Sequence, residues 1–90
     1  MSPRFVRNQS IEAAPLQQEL MLFSAASKKF CVLNASAAHI WERLEQPRTE
    51  EELVASLCEQ FNAANRGAVE EDVRGVLSQL KSLDLVSKSE

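Results

Sequence analysis

Ninety residues, 44% hydrophobic and 26% charged, make one small domain near the lower limit of what a single core stabilises, with its core over about residues 5–86. No apolar run approaches the ~20 residues that span a bilayer, and no charged-then-apolar leader with a small-residue cleavage site opens the chain, so a cytoplasmic protein without a membrane partner is expected. The net charge of −3 is uneven: residues 1–33 carry four basic and two acidic side chains, whereas residues 34–90 carry six and eleven, which suits the second half poorly for gripping a phosphate backbone.

Phe5 to Ala13 reads as a first strand, with Phe5, Arg7, Gln9, Ile11 and Ala13 on one face, broken by Pro15. Glu19 to Ser24 reads as a second strand, and Lys28 to Leu33 as a third. The short links imply an antiparallel meander, without an Asn-Gly or Asp-Gly hairpin signal to fix the turns. At Asn34 the pattern changes period. Ala37, Ile40, Trp41 and Leu44 follow the i, i+3, i+4, i+7 spacing of a buried helical stripe, and Asn34 and Ser36 are both suitable N-caps for a helix over about Ala35–Glu45.

Pro47 ends that helix, and Thr49 with Glu52 forms the signature of a capping box for a second. Three glutamates in its first turn suit the positive end of the helix dipole. Leu53, Val54, Leu57, Cys58 and Phe61 form its apolar face. A polar loop follows over residues 62–67. The third helix is expected over about Val69–Leu83, with Val69, Val73, Val76, Leu77 and Leu80 inward. Gly75 falls opposite that stripe, where it either admits another chain or is tolerated drift on an exposed face. Leu85 and Val86 close the domain, and both chain ends are expected to be loose. Strands followed by helices predict an α+β domain, three helices on one face of a small antiparallel sheet.

No catalytic constellation emerges, and neither a metal nor a cofactor is expected. His39 is the sole histidine and reads as a packing residue. Glu50–Glu52 and Glu70–Asp72 each open a helix, where capping and the dipole explain them. Cys31 and Cys58 sit in apolar patterns without metal or redox spacing. There is no glycine-rich phosphate loop and no nucleophile elbow. A non-enzymatic binding surface remains. A three-stranded sheet has two free edges, and such an edge accepts an extended peptide as an added strand. The third strand, basic at Lys28 and Lys29 and apolar beyond, is a candidate, although lysines also serve merely to keep an edge soluble.

Leu33-Asn34-x-Ser36-Ala37-x-x-Ile40-Trp41-x-x-Leu44, then Arg48-Thr49 with Glu51-Glu52-Leu53, Leu57 and Phe61, and finally Val69-x-x-Asp72-Val73-x-x-x-Leu77-x-x-Leu80 with Leu85-Val86, resembles the PqqD-like family. The resemblance spans roughly residues 5–86. It implies a winged-helix-like fold and a peptide chaperone that captures the leader segment of a ribosomally synthesised precursor peptide. Such a complex presents the precursor to a radical SAM enzyme, a leader protease or a cyclase. Carried onto this chain, the groove has Lys28, Lys29, Phe30, Cys31 and Val32 on one side. Arg74, Leu77, Ser78 and Lys81 of the third helix are candidates for the other side. Residues 27–34 are similar to stand-alone elements of lasso-peptide pathways, and the proline-glycine turn common in the member serving pyrroloquinoline quinone synthesis is missing. The two lysines suggest a leader with acidic residues near the docked strand. A monomer or weak dimer is expected.

Two other classes compete. A winged-helix DNA-binding regulator shares the fold, but the second helix has no Arg or Lys and the third only Arg74 and Lys81 within its expected span, so no nucleic-acid partner is expected. A dimerising structural subunit of a larger enzyme would show concentration-dependent mass without peptide affinity.

Overall fold

The computed structural model describes residues 3–61 and 65–89. Its elements are β1 (Arg4–Arg7), β2 (Ile11–Leu16), β3 (Glu19–Ser24), β4 (Lys29–Leu33), α1 (Ala35–Arg43), β5 (Arg48–Thr49), α2 (Glu50–Phe61), α3 (Arg66–Ser82) and β6 (Val86–Ser89). The α+β class holds, and the expected meander of three strands followed by three helices is present as β2-β3-β4 and α1 to α3. A second three-stranded antiparallel sheet, ordered β5-β1-β6, accompanies it.

The expected first strand is therefore two strands in two sheets. β1 pairs with β6 through Arg4↔Ser89 to Arg7↔Val86, and β2 pairs with β3 through Ile11↔Ser24 to Leu16↔Glu19. Pro15 does not break β2. It pairs opposite Leu20 at the edge of the sheet, where proline's missing N–H leaves no second neighbour unsatisfied. Gln17 and Gln18 alone link β2 to β3. Gln17 has φ 54°, the positive value that the first central residue of a type II′ hairpin turn requires.

Leu22 and Leu33 of the sheet meet Ile40, Trp41 and Leu44, Leu53, Val54 and Leu57, and Val69, Val73, Leu77 and Leu80 in one core. Phe61, expected on the buried face of α2, is 46% exposed at that helix's last turn. Asn34 is the cap of α1: its Oδ1 accepts from Ala37 N at 2.9 Å, while Ser36 donates to the same oxygen. α3 starts three residues earlier than its apolar stripe implies, because Asn65 Oδ1 accepts from Ala68 N at 3.1 Å. Of the polar loop expected over 62–67, residues 62–64 lie outside the described residues. At Gly75 a Cβ would meet nothing within 4 Å.

Val86–Ser89, expected to be loose, form a paired strand. α3 finishes in a Schellman arrangement: Leu85 N donates to Leu80 O at 2.9 Å and Asp84 N to Lys81 O at 3.1 Å, with Asp84 at φ 61°. That turn drives Leu85 into the core and aims Val86 along β1.

The capping box of α2 is closed from both sides. Thr49 Oγ1 accepts from Glu52 N at 3.1 Å, and Thr49 N donates to Glu52 Oε1 at 2.8 Å. Replacing Thr49 with Ala leaves the Glu52 N–H without its acceptor and lowers stability by about 1 kcal/mol, whereas Thr49→Ser holds it. Urea unfolding followed by circular dichroism measures both.

Candidate functional site

In the β2-β3-β4 sheet the outer edge of β4 is unpaired among the described residues. Residues alternate across that strand. Cys31 and Leu33 point into the core, whereas Phe30 and Val32 are 65% and 44% exposed on the opposite face. The register Phe23↔Phe30 and Met21↔Val32 places Phe23 and Met21 on the same outward face. Of the five strand candidates, Cys31 therefore presents only its backbone to the edge, and burial pushes its thiol pKa up. Lys28 lies in the turn, with φ 58° and its N–H donating to Ser24 O at 2.7 Å. Lys29 opens the strand. Both lysines are exposed and form no ion pair among the described residues.

At the other end of β4 the strand turns directly into α1, and α3 passes alongside. Val32, Leu33, Asn34, Ser36, Ala37, Asp72, Val76 and Gln79 line a depression of about 170 Å³ there. The flank of α3 that borders β4 is thus Asp72, Val76 and Gln79. Arg74, Leu77, Ser78 and Lys81 line a separate depression with Phe5 and Glu50, so the structure does not bring them beside β4. Leu77 is a core residue, 5% exposed, and Arg74 Nε lies 3.2 Å from Glu50 Oε2 of α2. At 3.6 residues per turn the Arg74, Ser78 and Lys81 directions lie about 160° from those of Asp72, Val76 and Gln79. Periodicity identifies the stripe between the two flanks but treats the flanks alike. The available signal was that Val76, an apolar residue at the margin of the stripe, lies on the Asp72 side.

His39 lies outside this depression. Its Nε2 is 2.8 Å from Ser56 Oγ and its ring meets Phe61 edge-on at 5.9 Å. Burial lowers its pKa, nearby Arg43 lowers it further, and Glu42 opposes them. The fold therefore favours the neutral ring. Its contribution is fully present above the unfolded histidine's pKa and is lost as pH falls through the lower folded value. Urea midpoints should fall on acidification across this window, and His39→Gln should remove that part of the slope.

Among the described residues no three His, Cys, Asp or Glu side chains gather as metal ligands, and no helix is long and apolar enough to cross a membrane. The family model for coenzyme PQQ synthesis protein D (PqqD) matches residues 19–86, from β3 to the first residue of β6. The chain belongs to the PqqD family. Two solved structures share the PqqD-family fold. TbiB1 in complex with the TbiA(beta) leader peptide is 26% identical with a TM-score of 0.78, the match covering 91% of this chain and 94% of that one. A lasso peptide synthetase B1 complexed with the leader peptide is 22% identical with a TM-score of 0.75, covering 92% and 96%. No curated protein matches the sequence.

Proposed function

We propose that this PqqD-family protein is a non-catalytic peptide chaperone of the cytoplasm. It captures the leader segment of a ribosomally synthesised precursor as an added strand on β4 and offers the complex to a modifying enzyme. A radical SAM enzyme, a leader protease and a cyclase are the candidate clients. The observation that carries this is the free edge of β4, apolar at Phe30 and Val32 and ending in a depression walled by α3. An edge of unpaired N–H and C=O groups gives affinity to any extended chain, and pockets beside it give selectivity. The leader peptide bound to the similar TbiB1 supports the same kind of ligand here. The docked segment would touch Lys28, Lys29, Phe30 and Val32 by side chain and Cys31 by backbone, with Asp72, Val76 and Gln79 as the facing helical wall.

The test is an amide NMR titration of the full chain with the leader of any precursor peptide encoded beside its gene, and separately with duplex DNA. Saturable shifts over residues 28–34 and at Asp72, Val76 and Gln79, with peptide alone, are expected. Shifts with DNA alone, or peptide shifts confined to the Arg74–Lys81 depression, overturn the assignment.

A further inference from the structure

We infer, resting on strand addition at β4, that this edge selects a peptide with segregated charges: a basic side chain beside Asp72 and an acidic one four residues later, beside Lys29. The two ends of β4 carry opposite charge. Lys28 and Lys29 stand at its start, exposed and without an ion pair among the described residues. Asp72, also exposed and without one, walls the depression at its end. Glu19 reinforces that end, since Leu20 pairs with Leu33 and Glu19 lies one residue beyond. The sheet's other acid, Glu12, sits on β2, two strands and about 10 Å from β4.

Geometry sets the spacing. Lys29, Cys31 and Leu33 share the face of β4 that looks toward the helices, the side on which Asp72 lies. Lys29 and Leu33 are about 13 Å apart along the strand, and residues i and i+4 of an added strand face the same side at the same separation. Polarity follows from the sheet. Both existing pairings are antiparallel, the arrangement with the better hydrogen-bond geometry. The peptide's earlier residue then lies opposite Leu33, beside Asp72, and its later residue opposite Lys29. The exchanged order would place like charges together at both ends.

Three synthetic peptides of one threonine- and valine-rich strand-forming host test this. One carries Arg followed four residues later by Glu, one carries the two exchanged, and one has Gln at both positions. NMR titration of the full chain should find Arg-then-Glu tightest, the Gln peptide intermediate and the exchanged peptide weakest, with Arg-then-Glu about tenfold tighter than its exchange at low salt and about twofold at ~0.5 M salt. The double variant Lys29→Glu with Asp72→Lys, both at exposed positions, should invert the preference. Equal binding of all three at β4, or a preference the double variant leaves unchanged, overturns charge selection while keeping strand addition. No saturable binding of any peptide at β4 removes strand addition as well.

Discussion

Replacing Trp41 with Ala should cost about 3–5 kcal/mol, the range for truncating a large aromatic side chain in a core. Total stability for a domain this size is only about 5–15 kcal/mol, so the loss brings the chain to the margin of folding. Trp41 is 3% exposed. It stands where the two sheets meet: the Arg7 guanidinium at the end of β1 lies 5.4 Å from its ring centroid, and Arg7 Nη1 donates to its carbonyl oxygen at 3.4 Å. Ile11 and Ala13 of β2 border the same spot. Removing the indole therefore opens a cavity and withdraws the surface on which a cation and two sheets rest. At roughly 4–8 °C per kcal/mol the midpoint should fall by about 12–40 °C. Because this is the sole tryptophan, far-UV circular dichroism rather than intrinsic fluorescence must follow the transition. Trp41→Phe, which keeps an aromatic ring, should lose clearly less. A midpoint within a few degrees of the parent for Trp41→Ala would show that the sheets are joined elsewhere.

What the sequence made legible follows from which residues face the core. β3 is readable to the residue, because Leu20 and Leu22 alternate with partners on a half-exposed face and Glu19 and Ser24 bound it. α1 and α2 are readable because their caps are side chains with a fixed spacing to the N–H they satisfy. β6 was not, because only Val86 of its first three residues is buried, and Ser87 and Lys88 show no period-two pattern. Its existence depends on the α3 turn at Asp84 and on pairing to β1, some eighty residues away in sequence. The merging of β1 with β2 has a similar cause. Arg7, the last residue of β1, and Asn8 just beyond it donate their backbone N–H groups to Leu44 O and Leu85 O, partners that local periodicity cannot reveal. The strand side of the proposed groove was marked in the sequence by two lysines followed by an apolar run. The helical side was not: a stripe has two flanks, and only the tertiary path of α3 past Asn34 and Ala37 selects Asp72, Val76 and Gln79.

Methylating the backbone nitrogens of the docked leader at every second residue should weaken binding strongly in one phase and spare it in the other. An added antiparallel strand directs alternate residues' N–H and C=O groups toward its neighbour, and the others away from it. Only one phase of methylation therefore removes ladder bonds to β4. Each lost bond costs about 1 kcal/mol net, so three in the wrong phase should weaken the leader by about 100-fold, before any steric clash of the methyl groups with the strand. The out-of-phase peptide should stay within a few-fold of the parent. This asymmetry separates strand addition from capture by side chains alone. A leader held only in the 170 Å³ depression at Val32, Ala37 and Val76 would feel both phases about equally. Isothermal titration of the parent and the two methylated peptides decides between them. Both phases binding like the parent would remove the backbone ladder from the recognition and leave the free edge of β4, with Phe30 and Val32 exposed on it, without the ligand assigned to it.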